Sequence, residues 1–520
     1  MSYLTPPLTH AGLYRGLAEL KASLERFRAL PESEREERRR LAELIQAQAA
    51  AVELAEAEPA WPEAAIASRV QRLGEAILEL ETTLVPHGLH VVGRPPSAEE
   101  RVDLLLAVAE ANHGAVLERE VVERLVAERP TPELEPELAR ELRRLDALLA
   151  RDHELEAIVR ALDGRFVRPV AGGDLLRDPS ILPTGRNLHG FDPFRIPSAF
   201  AMAEGTRQVE RLLARHLADG HPLPETVALV LWGTDNLKTE GAGIAQALAL
   251  LGARPRFDSY DRLAGAELVP LAELGRPRID VVLTLSGIFR DLLPLQTRML
   301  AEAAWLAAAA DEPVERNFVK KHALAHQARL GCGLETAALR VFSNAEGAYG
   351  ANVNLLIDSG SWSDEDELAE TWAKRKGFAY GRDGRPVERA ELLERVLAHV
   401  ELAYQNLESV ELGVTAIDQY VDSLGGLGRA AAKARGTPVP VYIGDPTRGA
   451  GTVRTLAEQV ALEARTRLLN PKWYEGMLRH GYEGVRQIEA HVTAAVGWSA
   501  TTTAPRRLAV LISPCLARCW

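Results

Sequence analysis

The sequence predicts an α/β protein with a helical N-terminal part, doubly wound units on a parallel sheet, and a helix-rich C-terminal block. Three observations predict it. Residues 227–291 read twice as apolar strand, polar loop and apolar helix. Residues 1 to about 160 carry leucines at helical spacing. Residues 454–498 are dense in charged and aromatic side chains on helical pattern.

In the N-terminal part, Leu13, Leu17, Leu20 and Leu24 fall on one helix face, and similar patterns return after Pro62, Pro96 and Pro132. The run Glu32–Arg40 mixes both signs of charge, as a solvated helix face does. Residues 1–160 therefore read as a helical scaffold without a catalytic constellation. Character changes near Asp163, where residues 163–174 and 183–193 are rich in Gly and Pro and read as loops. The second loop packs Arg186, Asn187, His189 and Asp192 into seven residues. Asn, Asp and Gly favour turns, but Arg and His add nothing to one, so a functional loop is expected there.

The first strand runs from Val227 to Trp232, with a loop over 233–241 and a helix to about Leu251. The second runs from Ile279 to Leu285, with a loop over 286–291 and a long apolar helix to about Ala310. Continuous apolar strands alternating with helices point to a parallel sheet covered on both faces. Ligands of such sheets bind beyond the carboxyl ends of the strands. Asp235, Lys238, Glu240, Arg290 and Asp291 would sit there. Helix caps and solvated loop charges explain any one of these residues, yet two charged loops at equivalent strand ends favour a site. Residues 161–335 form the first expected α/β domain and 336–501 the second.

Within the second, Arg340–Asn354 is a glycine-bearing polar loop leading into an apolar run. The strand Val439–Ile443 opens into the loop 444–452, which resembles a phosphate loop but lacks the Lys-Ser/Thr pair after its second glycine. No other nucleotide motif is visible, so a function that needs ATP would use another chain to hydrolyse it. Arg454, Glu458 and Arg465 lie at spacings that share one helix face. Pro471 is expected to break the helix and expose Trp473 and Tyr474 beside Lys472 and Glu475. Residues 502–520 follow no amphipathic pattern and read as an irregular tail.

A chain of 520 residues is long enough for several domains. Its net charge of −12, from 61 basic and 73 acidic residues, disfavours nucleic acid as the main partner. Cys332, Cys515 and Cys519 give neither zinc spacing nor a disulfide framework, which suits a reducing compartment. There is no basic and apolar leader and no apolar run of about 18 residues, so a cytoplasmic protein without a membrane span is expected.

Several stretches resemble a known family. They are Leu182-Pro-Thr-Gly-Arg-Asn-Leu-His189, Trp232-Gly-Thr-Asp-Asn-Leu-Lys-Thr239, Leu274-Gly-Arg-Pro-Arg-Ile-Asp-Val281, Ser286-Gly-Ile-Phe-Arg-Asp291 and Arg340-Val-Phe-Ser-Asn-Ala345. Leu468–Met477, Gly481-Tyr-Glu-Gly-Val-Arg486 and Gly497-Trp-Ser-Ala-Thr501 complete the set. Together they are similar to the C-terminal half of the large porphyrin-binding subunit of the magnesium chelatases, and to the related cobaltochelatases, over nearly all of residues 160–501. Leu13-Tyr-Arg-Gly-Leu17 and Pro86-His-Gly-Leu-His-Val-Val-Gly93 carry a weaker resemblance. The family's N-terminal half is not present, and the tail departs from the family pattern, as a frameshift or truncated gene would make it.

The resemblance implies a subunit that binds protoporphyrin IX and inserts Mg²⁺, with ATP hydrolysed by an AAA+ subunit working with its adaptor. Insertion displaces two pyrrole protons, and His189 and Glu458 are the implied bases. Mg²⁺ takes oxygen ligands, for which Asp192, Asp235, Glu240 and Glu475 are implied. Arg186, Asn187, Lys238, Arg290, Arg454 and Arg465 would hold the porphyrin and its propionates, with Trp473 and Tyr474 packed on the macrocycle. Asn470–Gly476 and Asn317–His322 look more like the magnesium branch. Cobalt insertion, a non-catalytic porphyrin binder and a generic α/β binder of a small anion are the alternatives. The expected geometry is one cleft shared by His189, Glu458 and the two strand-end loops.

Overall fold

The structure is a computed structural model, and it describes residues 2–173, 175–176, 178–189, 192–447, 449 and 451–502. The expected irregular tail from 503 onward lies outside the described residues. Seven helices run between Gly16 and Leu162, with one short antiparallel pair, Leu8–His10 on Leu84–Pro86. Leu17, Leu20, Leu24 and Phe27 line the buried face of the helix Gly16–Ala29, as the leucine spacing predicts. Helix Ala98–His113 starts at a capping box between Ser97 and Glu100 and stops at Gly114 in the left-handed conformation.

The body is one eight-stranded sheet. Its strands in chain order are β1 (Thr226–Leu231), β2 (Asp280–Leu285), β3 (Val341–Ser343), β4 (Phe378–Tyr380), β5 (Pro386–Glu388), β6 (Leu402–Asn406), β7 (Val441–Asp445) and β8 (Thr452–Thr455). They lie side by side as β5-β4-β3-β2-β1-β6-β7-β8. β1 and β2 are parallel neighbours in register from Thr226↔Asp280 to Leu231↔Leu285. The pairs β2–β3, β1–β6 and β6–β7 are parallel too, whereas β4, β5 and β8 pair antiparallel at the edges. Counting only the parallel strands, the order is 3-2-1-4-5, so the winding reverses between β1 and β6. Such reversals leave a crevice at the strand ends.

Side chains alternate across the sheet into two cores. Val227, Leu229, Leu231, Val281, Leu283 and Leu285 enter one, while Ala228, Val230, Val282, Ala403 and Ile443 enter the other. This double burial is why β1 and β2 read as unbroken apolar runs. The expected boundary near 335 falls between β2 and β3, which pair directly, so both α/β stretches share this sheet.

Several local expectations need correction. The loop after β1 is instead a helix, Gly233–Lys238, followed by Ala242–Leu251. The loop after β2 is the helix Gly287–Leu292, whose first turn is capped when Ser286 Oγ accepts from Phe289 N at 3.0 Å. Polar residues that read as loop are helix starts. Arg454 stands on β8, so it shares no helix face with Glu458 and Arg465. Pro471 starts the helix Pro471–Leu478 rather than exposing it, and Trp473 is buried. The central strand β6 and the hairpin Ala253–Phe257 on Leu263–Leu268 go beyond the elements the sequence predicts. No helix among the described residues is long and apolar enough to cross a membrane.

The N-terminal helices dock on the C-terminal block through polar anchors. Arg465 donates to the carbonyls of Val52 and Glu53, Tyr14 Oη donates to the Arg465 carbonyl at 3.0 Å, and Asn470 Nδ2 donates to the Ala11 carbonyl at 2.9 Å. Lys472 Nζ reaches the His10 carbonyl at 2.7 Å.

Candidate functional site

A cleft of about 490 Å³ opens between the helical part and the C-terminal block, bordered by Tyr3, Leu89, His90, Glu154, Glu411 and Glu483. At its base the His90 Nε2 lies 2.6 Å from Glu154 Oε2. Glu154 Oε1 accepts from Leu4 N at 2.6 Å and from Thr184 Oγ1 at 2.8 Å. Glu154 is 4% exposed. Burial pushes its pKa up, but the hydrogen bonds from His90, Thr184 and Leu4 outweigh that and hold it below the usual carboxylate range. An ionised Glu154 accepts a hydrogen bond from His90 Nε2–H, which orients the imidazole in the cleft. The Tyr3 ring stacks on the imidazole, centroids 6.4 Å apart and planes 19° from parallel.

Local sequence explains how these groups meet. Gly88 sits at φ 93°, and the next amide, Leu89 N, donates to His480 Nε2 at 2.9 Å. That turn carries His90 toward the cleft. Gly185 sits at φ 76°, and a Cβ there would collide with the His153 carbonyl, so only glycine lets the loop lie against the start of helix Glu154–Leu162. Gly185 N donates to the Ser2 carbonyl at 2.9 Å and Ser2 N to the Arg186 carbonyl at 2.7 Å, which pins the residues leading to Tyr3. On the far wall Thr5 Oγ1 donates to Glu411 at 3.0 Å. Hydrogen bonds from Arg486 and then Gln487 hold the exposed Glu483 carboxyl at about 2. Three of the stretches that carry the family resemblance, Pro86–Gly93, Leu182–His189 and Gly481–Arg486, thus reach one place.

The residues expected from sequence lie elsewhere. The Arg186 guanidinium donates to the carbonyls of Ser180 and Pro183 and ties its own loop. Asn187 and His189 are exposed on a three-residue strand paired with Pro169–Ala171. Asp192 caps the turn Pro193–Arg195, and Asp235 is buried in helix Gly233–Lys238. Lys238 pairs with Glu408 at 2.8 Å, and Glu240 holds a φ of 53° while its carbonyl accepts from Ser198 N. Arg290 pairs with Asp291 at 2.7 Å and donates to the Ala345 and Ala348 carbonyls. Arg454 joins Glu79 of the N-terminal part and borders, with buried Glu463 and Arg467, a junction pocket of about 260 Å³. Glu458 forms a capping box with Thr455 and pairs with Arg215 at 2.8 Å. Arg465 anchors the N-terminal helices. Trp473 packs edge-on against His491 at 4.7 Å, Tyr474 is half-buried, and Glu475 is exposed.

His189 and Glu458 therefore sit on separate elements, and neither borders the His90 cleft or the junction pocket. Among the described residues no three His, Cys, Asp or Glu side chains are gathered closely enough to hold a metal ion. Sequence reasoning did not single out His90, Glu154, Glu411 or Glu483, which border the cleft. His90 lies in Pro86–Gly93, a stretch that resembles the family but holds no chemical pattern of its own. Glu154 carried no signal, since a glutamate opening a helix is ordinarily solvated.

The helical part and the doubly wound body together match a solved structure. The solved catalytic subunit of cobaltochelatase from Mycobacterium tuberculosis superposes with a TM-score of 0.89 at 32% identity, covering 96% of this chain and 46% of that one. The chain belongs to the CobN/Magnesium Chelatase family, whose profile matches residues 1–141 and 126–507. It is 56% identical over 504 residues to the H subunit of magnesium chelatase from Rhodobacter capsulatus, covering 96% of this chain and 39% of that protein. The chloroplastic magnesium-chelatase protein ChlH of rice is 37% identical over 590 residues, with 96% of this chain and 42% of the relative covered. The chain thus spans well under half the length of these relatives.

Proposed function

We propose that this chain handles the porphyrin in Mg²⁺ insertion, as part of the large subunit of a magnesium chelatase, with ATP hydrolysed by an AAA+ subunit and its adaptor. The convergence of three family stretches on the His90–Glu154 pair is the observation that carries this reading. Replacing two pyrrole N–H bonds by bonds to the metal releases two protons, and His90 Nδ1 is the acceptor that Glu154 prepares. Tyr3 and Leu89 offer an apolar face to one edge of the macrocycle. Mg²⁺, the substrate metal, prefers oxygen, and Glu411 and Glu483 supply it at the same cleft. Arg186, Arg454 and Arg465 spend donors on this chain's own carbonyls and carboxylates, so their role is to hold the walls, whereas Nη2 of buried Arg290 has no hydrogen-bond partner among the described residues. Asn187, His189, Asp192 and Glu475 remain exposed groups whose substitution would test the wider binding surface.

Titrating the chain with protoporphyrin IX and following its Soret band tests binding. Metal insertion with the partner subunits tests chemistry. His90→Ala is expected to cut insertion at least tenfold, about 1.4 kcal/mol in the barrier, with porphyrin affinity held within about threefold. Full insertion by His90→Ala would sink the assignment of the base. The likeness to cobaltochelatases favours a second reading, Co²⁺ insertion into a corrin-type ring, which a direct competition between the two metals and rings separates.

A further inference from the structure

The reversal between β1 and β6 leaves a second cavity that the porphyrin reading does not use. It has a volume of about 330 Å³ and lies at the carboxyl ends of β1 and β2. Val230, Trp232 and Leu285 make apolar walls, Tyr349 stands at one side, and a π-helical turn, Val421–Gly425, closes another. The lining is mostly apolar with a few polar groups, the usual make-up of a small-ligand site. It is too small for a tetrapyrrole.

Lys376 is the one cation on these walls among the described residues. It ends the helix Glu365–Lys376 and is 4% exposed. Its ammonium donates to the Leu285 carbonyl at 3.0 Å and to Asn344 Oδ1 at 2.8 Å, both neutral acceptors. A third proton remains. Among the described residues no carboxylate is within ion-pairing distance. Asp422 borders the same cavity and attracts the ammonium, but its oxygens already accept the amides of Ala351 and Val353 at 2.6 and 2.8 Å. Glu408, also on the wall, is paired with Lys238. Burial, with repulsion from Arg290 and Arg375, lowers the Lys376 pKa to about 8. A buried ammonium held only by neutral acceptors beside an apolar cavity lacks the partner that buried charges ordinarily have.

We propose that this switch-point cavity binds a small organic monoanion, a carboxylate on a planar apolar body of roughly ten to fifteen heavy atoms, whose charged group pairs with Lys376. One ammonium without arginine suits a carboxylate better than a phosphate dianion, which calls for several donors. Trp232 and Tyr349 border the space for the planar body.

Fluorine NMR of the full chain with 4-fluorobenzoate and its neutral isostere 4-fluorobenzamide tests this. Line broadening by the benzoate is expected, with the benzamide at least tenfold weaker. Lys376→Met should weaken benzoate at least tenfold. Thr234→Trp, at an exposed rim position, should block it without touching the core, and decides the matter if Lys376→Met does not fold. Equal binding of the two probes, benzoate binding retained in either folded variant, or no broadening at about 10 mM probe would each overturn the proposal. Protoporphyrin binding should be unchanged at saturating benzoate, so failure here is separable from failure of the chelatase reading.

Discussion

Glu154 is the residue whose replacement separates structure from chemistry most cleanly. It accepts three hydrogen bonds, from Leu4 N, Thr184 Oγ1 and His90 Nε2. Glu154→Ala leaves a buried amide and a buried hydroxyl without partners, at about 1–3 kcal/mol each, so a loss of roughly 2–6 kcal/mol is expected. Glu154→Gln keeps the shape. Its carbonyl oxygen takes the place of Oε1 and still accepts from Leu4 and Thr184, so only about 1–2 kcal/mol is lost with the charge. Its amide, however, donates to His90 Nε2 where the carboxylate accepted. The imidazole proton then moves to Nδ1, and the lone pair the proposed base needs there is gone. Wrong-tautomer substitutions of this kind cost orders of magnitude in rate, so Mg²⁺ insertion should fall at least about a hundredfold while the Soret titration barely moves. Urea midpoints followed by circular dichroism report the stability part, and insertion with partner subunits reports the rest. Equal destabilisation by Gln and Ala would refute the hydrogen-bond reasoning, and an active Glu154→Gln would refute the tautomer.

Trp473→Phe should cost less than about 1 kcal/mol, because the indole Nε1 is buried without a hydrogen-bond partner and its removal relieves that desolvation; a loss above about 3 kcal/mol would show a partner for it. Gly185→Ala should destabilise the loop by at least about 1 kcal/mol and weaken the His90 cleft, since φ 76° and the His153 carbonyl both oppose a Cβ; unchanged melting would contradict this. Burial, then repulsion from His221, lowers His216 to about 4, and burial with Arg340 nearby lowers His326 to about 3. Both prefer the neutral form when folded, so their stability contribution is complete above pH 6.5 and is lost as pH falls through the window down to about 4 and 3. Each should cost about 1.4 kcal/mol per pH unit there, and identical urea midpoints at pH 7 and 5 would exclude it.

The parallel pair β1 and β2 was legible because both faces of each strand are buried, which leaves an unbroken apolar run that period-two strands with one wet face lack. β6 hid from the same reading. It is five residues long and ends in Gln405 and Asn406, polar residues that look like a loop. In the folded chain the Asn406 amide is buried and exchanges two hydrogen bonds with Gln246, each 3.1 Å, so polarity is satisfied inside the core rather than in water. The edge strands pair antiparallel over only three or four residues and left no period to detect.

The candidate site shows the deeper limit. Single-sequence reading finds charged residues where they cluster locally, and at Arg186, Glu458 and Arg465 that density serves loop ties, a helix cap and docking. A cap needs its acceptor three residues from the amide it serves, so it must appear as a local pattern. A histidine–carboxylate pair needs only spatial proximity, and here 64 residues separate His90 from Glu154, while Thr184 comes from a third segment. Nothing in their neighbourhoods sets them apart. Backbone turns at Gly88 and Gly185, both at positive φ, shape the loops that meet there, the first just before His90 and the second against the His153 carbonyl.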